Sequence, residues 1–435
     1  MPLRFVHAAQ LRLDQPWQGV GRIPEELLPI VEQATVTAWE FIQRQCYELQ
    51  VDFLLLTGNT LVAAEFPLGG EAALIRGLNQ LHDLNIPVYL IPGELDPEHY
   101  WDTIDDRLPP NTHRLSSHDP AAEIYSNHGE GIATLVPIAG SPATAQESWV
   151  DPEWWETWVD QLVDRDAPFP IGLIHEHPHD QDRVYGTPPA QLETLLRGSP
   201  LRYIASGATL RRWTAQIGAA MWHVPGSPIA FRSNLSESVG CSLVEVDTSG
   251  RLTTRQLPTS PVRREIFSIA VSPVTMRSEL IDQLSDQLSK TTIARDQRLC
   301  WIDLVIRGGG LLADELRLPE ARSRLRQDVF DFTNTEQVPV WIDRIDFEDT
   351  RSNSELIAGS SRLAGDFLQQ LEQLREGSSG QDISLLGEIP VPVGIPESAW
   401  HATLGEIDLD RVVSHVRSTG ARLLAPRREG ADEDL

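Results

Sequence analysis

"IPVYLIPGELDPEHYW", residues 86–101, decides how the rest of the chain is read. An apolar run ends in a Pro-Gly turn, and the turn presents two acids, Glu94 and Asp96. An apolar run of this length closed by turn residues predicts a buried strand. Further candidate strands are 3–8 (LRFVHA), 51–58 (VDFLLLTG), 131–140 (GIATLVPIAG), 170–176 (PIGLIHE), 202–207 (RYIASG) and 241–247 (CSLVEVD). Between the first two, residues 24–49 carry apolar side chains at helical spacing, from Leu27 through Val31 and Ala38 to Phe41 and Ile42. Residues 69–85 do the same and stop at the strand that opens with Ile86. Strand, helix, strand at this length predicts parallel pairing through right-handed crossovers. In such sheets, function sits in the loops at the carboxyl ends of strands. "HAAQLR", "TGNTL", "PGELD", "IHEHPHD" and "SGATL" all fall there.

Composition narrows the function classes. Asp and Glu number 63 against 36 Lys and Arg, a formal net charge of −27, and Lys290 is the sole lysine. Nucleic-acid binders neutralise phosphates with cations, so this balance argues against broad DNA affinity, although a local Arg patch survives in acidic chains. "LRRW" (210–213) and "VRRE" (262–265) are the candidates for such a patch in a non-catalytic end-binder. Cys46, Cys241 and Cys300 lie far apart and make no CxxC pair, which fits a reducing compartment. Charges at Arg4, Arg12 and Asp14 interrupt the N-terminal apolar stretch, and no apolar run approaches the roughly 20 residues of a membrane span. The expectation is a cytoplasmic protein without a signal peptide.

Length and pattern divide the chain into 1–260, a small α+β unit at 261–350, and a helical segment with an acidic tail at 351–435. In the second unit, 263–272, 298–310 and 338–347 read as strands and 277–290 as a helix. The Gly308–Gly310 run lacks the Lys-Ser/Thr of a P-loop and reads as a turn. Residues 151–166 read as an amphipathic helix whose Trp154, Trp155 and Trp158 suit packing better than a binding box. In 354–376, Leu356, Ile357, Leu363, Phe367, Leu371 and Leu374 recur at spacings that give an apolar helical face, able to dock on a partner helix or on its own protein.

The order of the five loops resembles the calcineurin-like metallophosphoesterases, and within them the SbcD/YhaO-like branch of DNA-repair exonuclease subunits. The words that carry the resemblance are "FVHAAQLRLD", "VDFLLLTGN", "IPVYLIPG", "LIH", "YIASG" and "VPGSP…GCSLVEV", spread over about the first 250 residues. It implies an α-β-β-α sandwich followed by a capping domain, two metal ions (usually manganese), and phosphodiester hydrolysis by metal-activated water. It further implies an SMC-like ATPase as partner, contacted after the capping domain, and a homodimer through a helical surface. Two dications about 4 Å apart repel by about 16 kcal/mol at an effective dielectric near 20, so such a centre needs carboxylates around it.

Those carboxylates are mostly missing. Where the family carries Asp-x-His, this chain has Gln10 and Arg12; its bridging Asp is Asn59 and the next Asp is Val62. The Asn-His pair of the third loop is Glu94 and Leu95, with Asp96 retained; the two histidines of the fifth loop are Ala208 and Leu210. His175 alone matches a family histidine. A permanent cation at position 12 repels a dication, and Leu95, Ala208 and Leu210 offer no lone pairs. The expectation is a catalytically inactive, metal-free scaffold subunit in which Arg12 pairs with Glu94 or Asp96. The alternative is a metal-dependent exonuclease or phosphoesterase with a site rearranged around His175, His177, His179 and Asp96, although a solvated polar loop explains "HEHPHD" as well. An unrelated α/β protein with no inherited site also stays open.

Overall fold

The computed structural model describes residues 2–348, apart from 14, 18–22, 66–67, 117–118, 120, 126–128, 139–166, 176–196, 208, 232–238, 273–274, 292–295, 310 and 334–337, together with 366–367 and 369–370. Its centre is two six-stranded sheets. The first runs in the order β12 (Leu252–Leu257), β11 (Cys241–Val246), β1 (Leu3–Ala8), β2 (Phe53–Thr57), β3 (Val88–Ile91), β4 (Thr112–Arg114). The expected parallel pairing holds from β1 through β4, while β11 pairs antiparallel with both β1 and β12. The second sheet is β5 (Ala122–Tyr125), β6 (Gly131–Pro137), β7 (Pro170–Ile174), β8 (Tyr203–Ser206), β10 (Ala220–Val224), β9 (Trp213–Ile217). Its middle strands are parallel and its two edges antiparallel.

Alternation along each strand explains the unbroken apolar runs: both faces are buried. On one face of the first sheet, Val6, Ala8, Leu54, Leu56, Val88 and Leu90 pack with Trp39 and Ile42 of α2 (Ala34–Glu48) and Leu74 and Leu78 of α3 (Leu68–Asp83). On the other face, Phe5, Phe53, Leu55 and Tyr89 meet Leu135, Ile171, Leu173 and Tyr203 of the second sheet. Phe5 stacks on Phe53 and meets the Tyr203 edge at 5.5 Å. The far face of the second sheet gathers Val136, Ile138, Ile174, Ile204 and Trp222. The Trp-rich segment 151–166 lies outside the described residues.

The single long helix expected over 24–49 is two: α1 (Leu28–Glu32) and α2, separated at Gln33, whose φ of −95° and ψ of 9° are not helical. Leu27, Val31, Ala34 and Ala38 then face a separate core with Ile229, Val262, Leu299, Trp301, Phe330 and Trp341, while Trp39 and Ile42 face the first sheet. Helix α2 serves two cores, with Ala34 and Ala38 turned to one and Trp39 and Ile42 to the other.

A third sheet has three strands, β13 (Val262–Val271), β14 (Leu299–Gly308) and β15 (Val340–Glu348). Helix α5 (Arg277–Lys290) follows β13; α6 (Leu311–Glu315) and α7 (Pro319–Thr333) follow β14, after the short α4 (Glu98–Trp101) earlier in the chain. By compactness the chain divides into Met1–Ile266, Ser289–Asp303 and Leu325–Arg344 as one unit, and Phe267–Leu288, Leu304–Arg324 and Ile345–Leu435 as another. The second unit has its own apolar interior at Leu280, Leu284, Ile306, Leu312 and Leu316. Among the described residues no helix is long and apolar enough to cross a membrane.

Candidate functional site

The loops after β1, β2, β3, β7 and β8 converge, and their hydrogen bonds define the site. The pairing of β1 with β2 continues beyond both strands: Gln10 N–H donates to Gly58 C=O (3.1 Å), Arg12 N–H to Asn59 C=O (3.0 Å) and Leu13 N–H to Thr60 C=O (3.0 Å). Holding this geometry puts three non-glycine residues in the left-handed region, Gln10 (φ 56°), Arg12 (φ 45°) and Asn59 (φ 52°). Each such residue costs on the order of 1 kcal/mol, least for Asn, so the surrounding bonds must hold them there.

Asp96 is fully buried, and its carboxylate accepts four backbone N–H groups. Asn59 and Gly93 donate to Oδ1, each at 2.8 Å. Thr60 (2.8 Å) and Leu61 (3.4 Å) donate to Oδ2. Burial pushes this carboxyl up, to about 7, against the downward pull of the four donors. The Asn59 Oδ1 accepts Leu95 N–H at 2.8 Å, closing the second loop on the third from the other side. Glu94, two residues before Asp96, is exposed.

Gln10 is buried and joins the first loop to the fifth: its Nε2 donates to Gly207 C=O at 2.7 Å. Its Oε1 accepts from Arg12 Nε at 2.8 Å. Arg12 also has Nη1 at 3.4 Å from Gln15 Oε1 and its guanidinium 5.9 Å from the centre of the Phe231 ring. The expected ion pair of Arg12 with Glu94 or Asp96 is therefore replaced. Backbone N–H groups satisfy Asp96, and the guanidinium orients Gln10 instead.

His175, after β7, donates from Nδ1 to Thr57 C=O at 2.8 Å, since the carbonyl can only accept. Burial and then the nearby Arg12 charge lower its pKa to about 4, only partly opposed by the Thr57 bond, so the ring is neutral at pH 7. Two glycines make this packing feasible. A Cβ on Gly58 (φ 84°) would lie 2.2 Å from His175 Nδ1, and one on Gly207 would lie 1.7 Å from Thr57 O.

The structure thus brings Gln10, Arg12, Asn59, Leu95, Asp96 and His175 together, with Val62 buried beside them. Leu210 contributes its backbone carbonyl to Ser227 N–H at 2.9 Å. Ala208, His177 and His179 lie outside the described residues, as do Leu356, Ile357, Leu363, Leu371 and Leu374; Phe367 is half-buried. Thr57 and Gly207 were missed from sequence, because each acts through its carbonyl oxygen, which no side-chain pattern encodes.

A second polar group lies deeper, between the two sheets. His7 bonds Tyr203 Oη through Nδ1 and Thr57 Oγ1 through Nε2, both at 2.8 Å. His223 bonds Thr214 Oγ1 at 2.7 Å and Ser242 Oγ at 2.8 Å. Burial lowers both histidines, His223 to about 3, with the Arg212 charge adding to it.

The donor set does not suit a pair of divalent cations. Asp96 spends its oxygens on backbone N–H groups, the Asn59 amide is committed to the third loop and the Gln10 amide to the fifth, and Arg12 holds a positive charge alongside. Among the described residues, His175 is hydrogen-bonded through Nδ1 alone. Among the described residues, no three His, Cys, Asp or Glu side chains gather to hold an ion.

Two stacked mixed sheets, with loops of parallel strands meeting at one end, make this a mixed α/β fold, and over part of its length the chain is similar to a metallophosphoesterase. Its similarity to the uncharacterized metallophosphoesterase YhaO of Bacillus subtilis (strain 168) is 28% identity over 176 residues, 40% of this chain and 40% of that protein. The chain therefore matches well under half the length of this curated relative. A dimetal phosphatase from Danio rerio is similar over 58% of this chain and 95% of its own, at 9% identity and a TM-score of 0.40. No family model matches the chain.

Proposed function

We propose that this chain is a catalytically inactive metallophosphoesterase that serves as a scaffold or regulatory partner of an SMC-like ATPase. The observation that carries the reading is the state of Asp96: the one retained acid of the third loop is buried under four backbone N–H donors. A carboxylate so occupied has no oxygen to offer a metal or to activate water. Arg12 and the two amides beside it add no anionic ligand to take its place. Similarity over 176 residues to the uncharacterized metallophosphoesterase YhaO supports the phosphoesterase part of this reading; DNA repair is the process suggested by the branch that the sequence words resemble. Domain boundaries near 261 and 350 follow the third sheet, and the docking face is Leu356, Leu363, Phe367, Leu371 and Leu374. The described residues of that segment, 366–367 and 369–370, are helical.

The test is hydrolysis with manganese present, on an aryl phosphodiester and on end-labelled duplex DNA. Product release at the rate of the protein-free blank is expected, together with co-elution of an SMC-like ATPase subunit. Turnover that disappears in Asp96→Ala or His175→Ala would contradict the reading.

A further inference from the structure

We infer that the residues standing in place of metal ligands form a hydrogen-bonded lock that joins four of the five loops, doing with protein groups what a metal pair does elsewhere. The inference rests on the reading of the site as non-catalytic, but its test reads stability, so the two fail separately. The geometry is two-ended at two of the replaced positions, 10 and 59. Gln10 uses both ends of its amide, giving a proton to Gly207 C=O and taking one from Arg12 Nε. An Asp at position 10 has no proton to give, and its charge would oppose the Gly207 carbonyl. Asn59 binds the third loop twice, through its own N–H to Asp96 and through Oδ1 from Leu95 N–H.

Charge makes the lock exclusive. Asn59 Oδ1 and Asp96 Oδ1 lie 2.4 and 2.8 Å from the point that a Cβ on Gly93 would occupy, so the two oxygens are near neighbours. Carboxylates at both positions would repel in a buried site unless a cation lay between them. The neutral amide at 59 removes that need. Arg12, held in the left-handed region, then keeps the Gln10 amide in its one useful orientation. Positions 10 and 59 would be ligands and are also where side chains cross-link the loops, so restoring the acid at 59 breaks the lock without restoring a metal centre.

The experiment is thermal unfolding of the full chain in chelator and in excess manganese, for wild type, Asn59→Asp and Gln10→Leu. Wild type is expected to melt at the same temperature in both. In chelator, Asn59→Asp is expected to melt about 5 °C lower. Gln10→Leu keeps the site's charge and removes only the Gly207 and Arg12 bonds; a similar loss, in chelator and in manganese alike, is expected. It also decides the matter if Asn59→Asp does not fold. A wild-type melting temperature that rises with manganese overturns the inference, as does wild-type stability in Gln10→Leu.

Discussion

Two buried polar centres in the first compact unit use opposite strategies. At the strand ends, Asp96 is held by backbone donors, and its bonds come from the same loops that must be positioned. Near the third sheet, Arg264 is held mainly by side chains, with one backbone carbonyl. It lies beside the rings of Trp17 and Trp301, 5.6 and 5.5 Å from their centres, donates to Phe231 C=O at 3.1 Å, and faces Asp343 at 3.7 Å. Burial lowers Arg264 and raises Asp343 from their ordinary values. Arg264 Nε and Asp303 Oδ1 have no partner among the described residues. The first centre spreads one charge over a net of main-chain dipoles. The second opposes whole charges in a dry setting, so its desolvation cost consumes much of what the attraction supplies. Only the second can be replaced by apolar side chains.

The comparison breaks most sharply at Asp96→Ala. Four N–H groups would be left buried without an acceptor, at about 1–3 kcal/mol each, so a loss of about 5 kcal/mol is expected in urea unfolding. No second substitution should recover it, because the partners are main chain. Arg264→Met should lose about 3 kcal/mol by stranding Asp343, and adding Asp343→Leu should return much of that. A double variant no more stable than Arg264→Met alone would show the two centres to be alike.

Acid separates the groups by sign. Histidines held neutral below their unfolded pKa of about 6.5 lose stability as pH falls through that value. Between pH 7 and 5, His175, at about 4, and His223, at about 3, each forfeit about 2 kcal/mol. Asp96, raised to about 7, binds its proton in the folded state first and returns about 2 kcal/mol over the same range. The net expectation is a fall of about 2 kcal/mol, deepened by His7, whose pKa is also lowered. Urea midpoints at pH 7, 6 and 5 check it, and a rise toward pH 5 would contradict the burial of these histidines.

Much of the fold was legible because both faces of the central strands are buried. Runs such as 53–57 and 88–91 are apolar throughout, and the helices at 68–83 and 277–290 carry a clear period. The edge strands β5, β9 and β12 escaped notice because one face is wet, leaving short alternating patterns such as WTAQI. Helix α7 escaped because its sequence, PEARSRLRQDVFDFT, is mostly polar. At the site, the identity of the converging residues was readable, but their bonding was not. Arg12 and the two acids suggested an ion pair by charge alone, whereas the "PGELD" turn folds Asp96 back onto Gly93 N–H and beneath the second loop. Backbone donors are the same in every residue, so composition cannot reveal that they arrive first.

The central claim is that backbone and amide groups occupy the place of a metal pair. It is tested most directly by metal content: incubate the purified chain with manganese or zinc, desalt, and count ions per chain by mass spectrometry. The account predicts no ion retained at the strand ends, with Asp96→Ala and wild type giving the same count. About two ions per chain, lost in Asp96→Ala and His175→Ala, would contradict it.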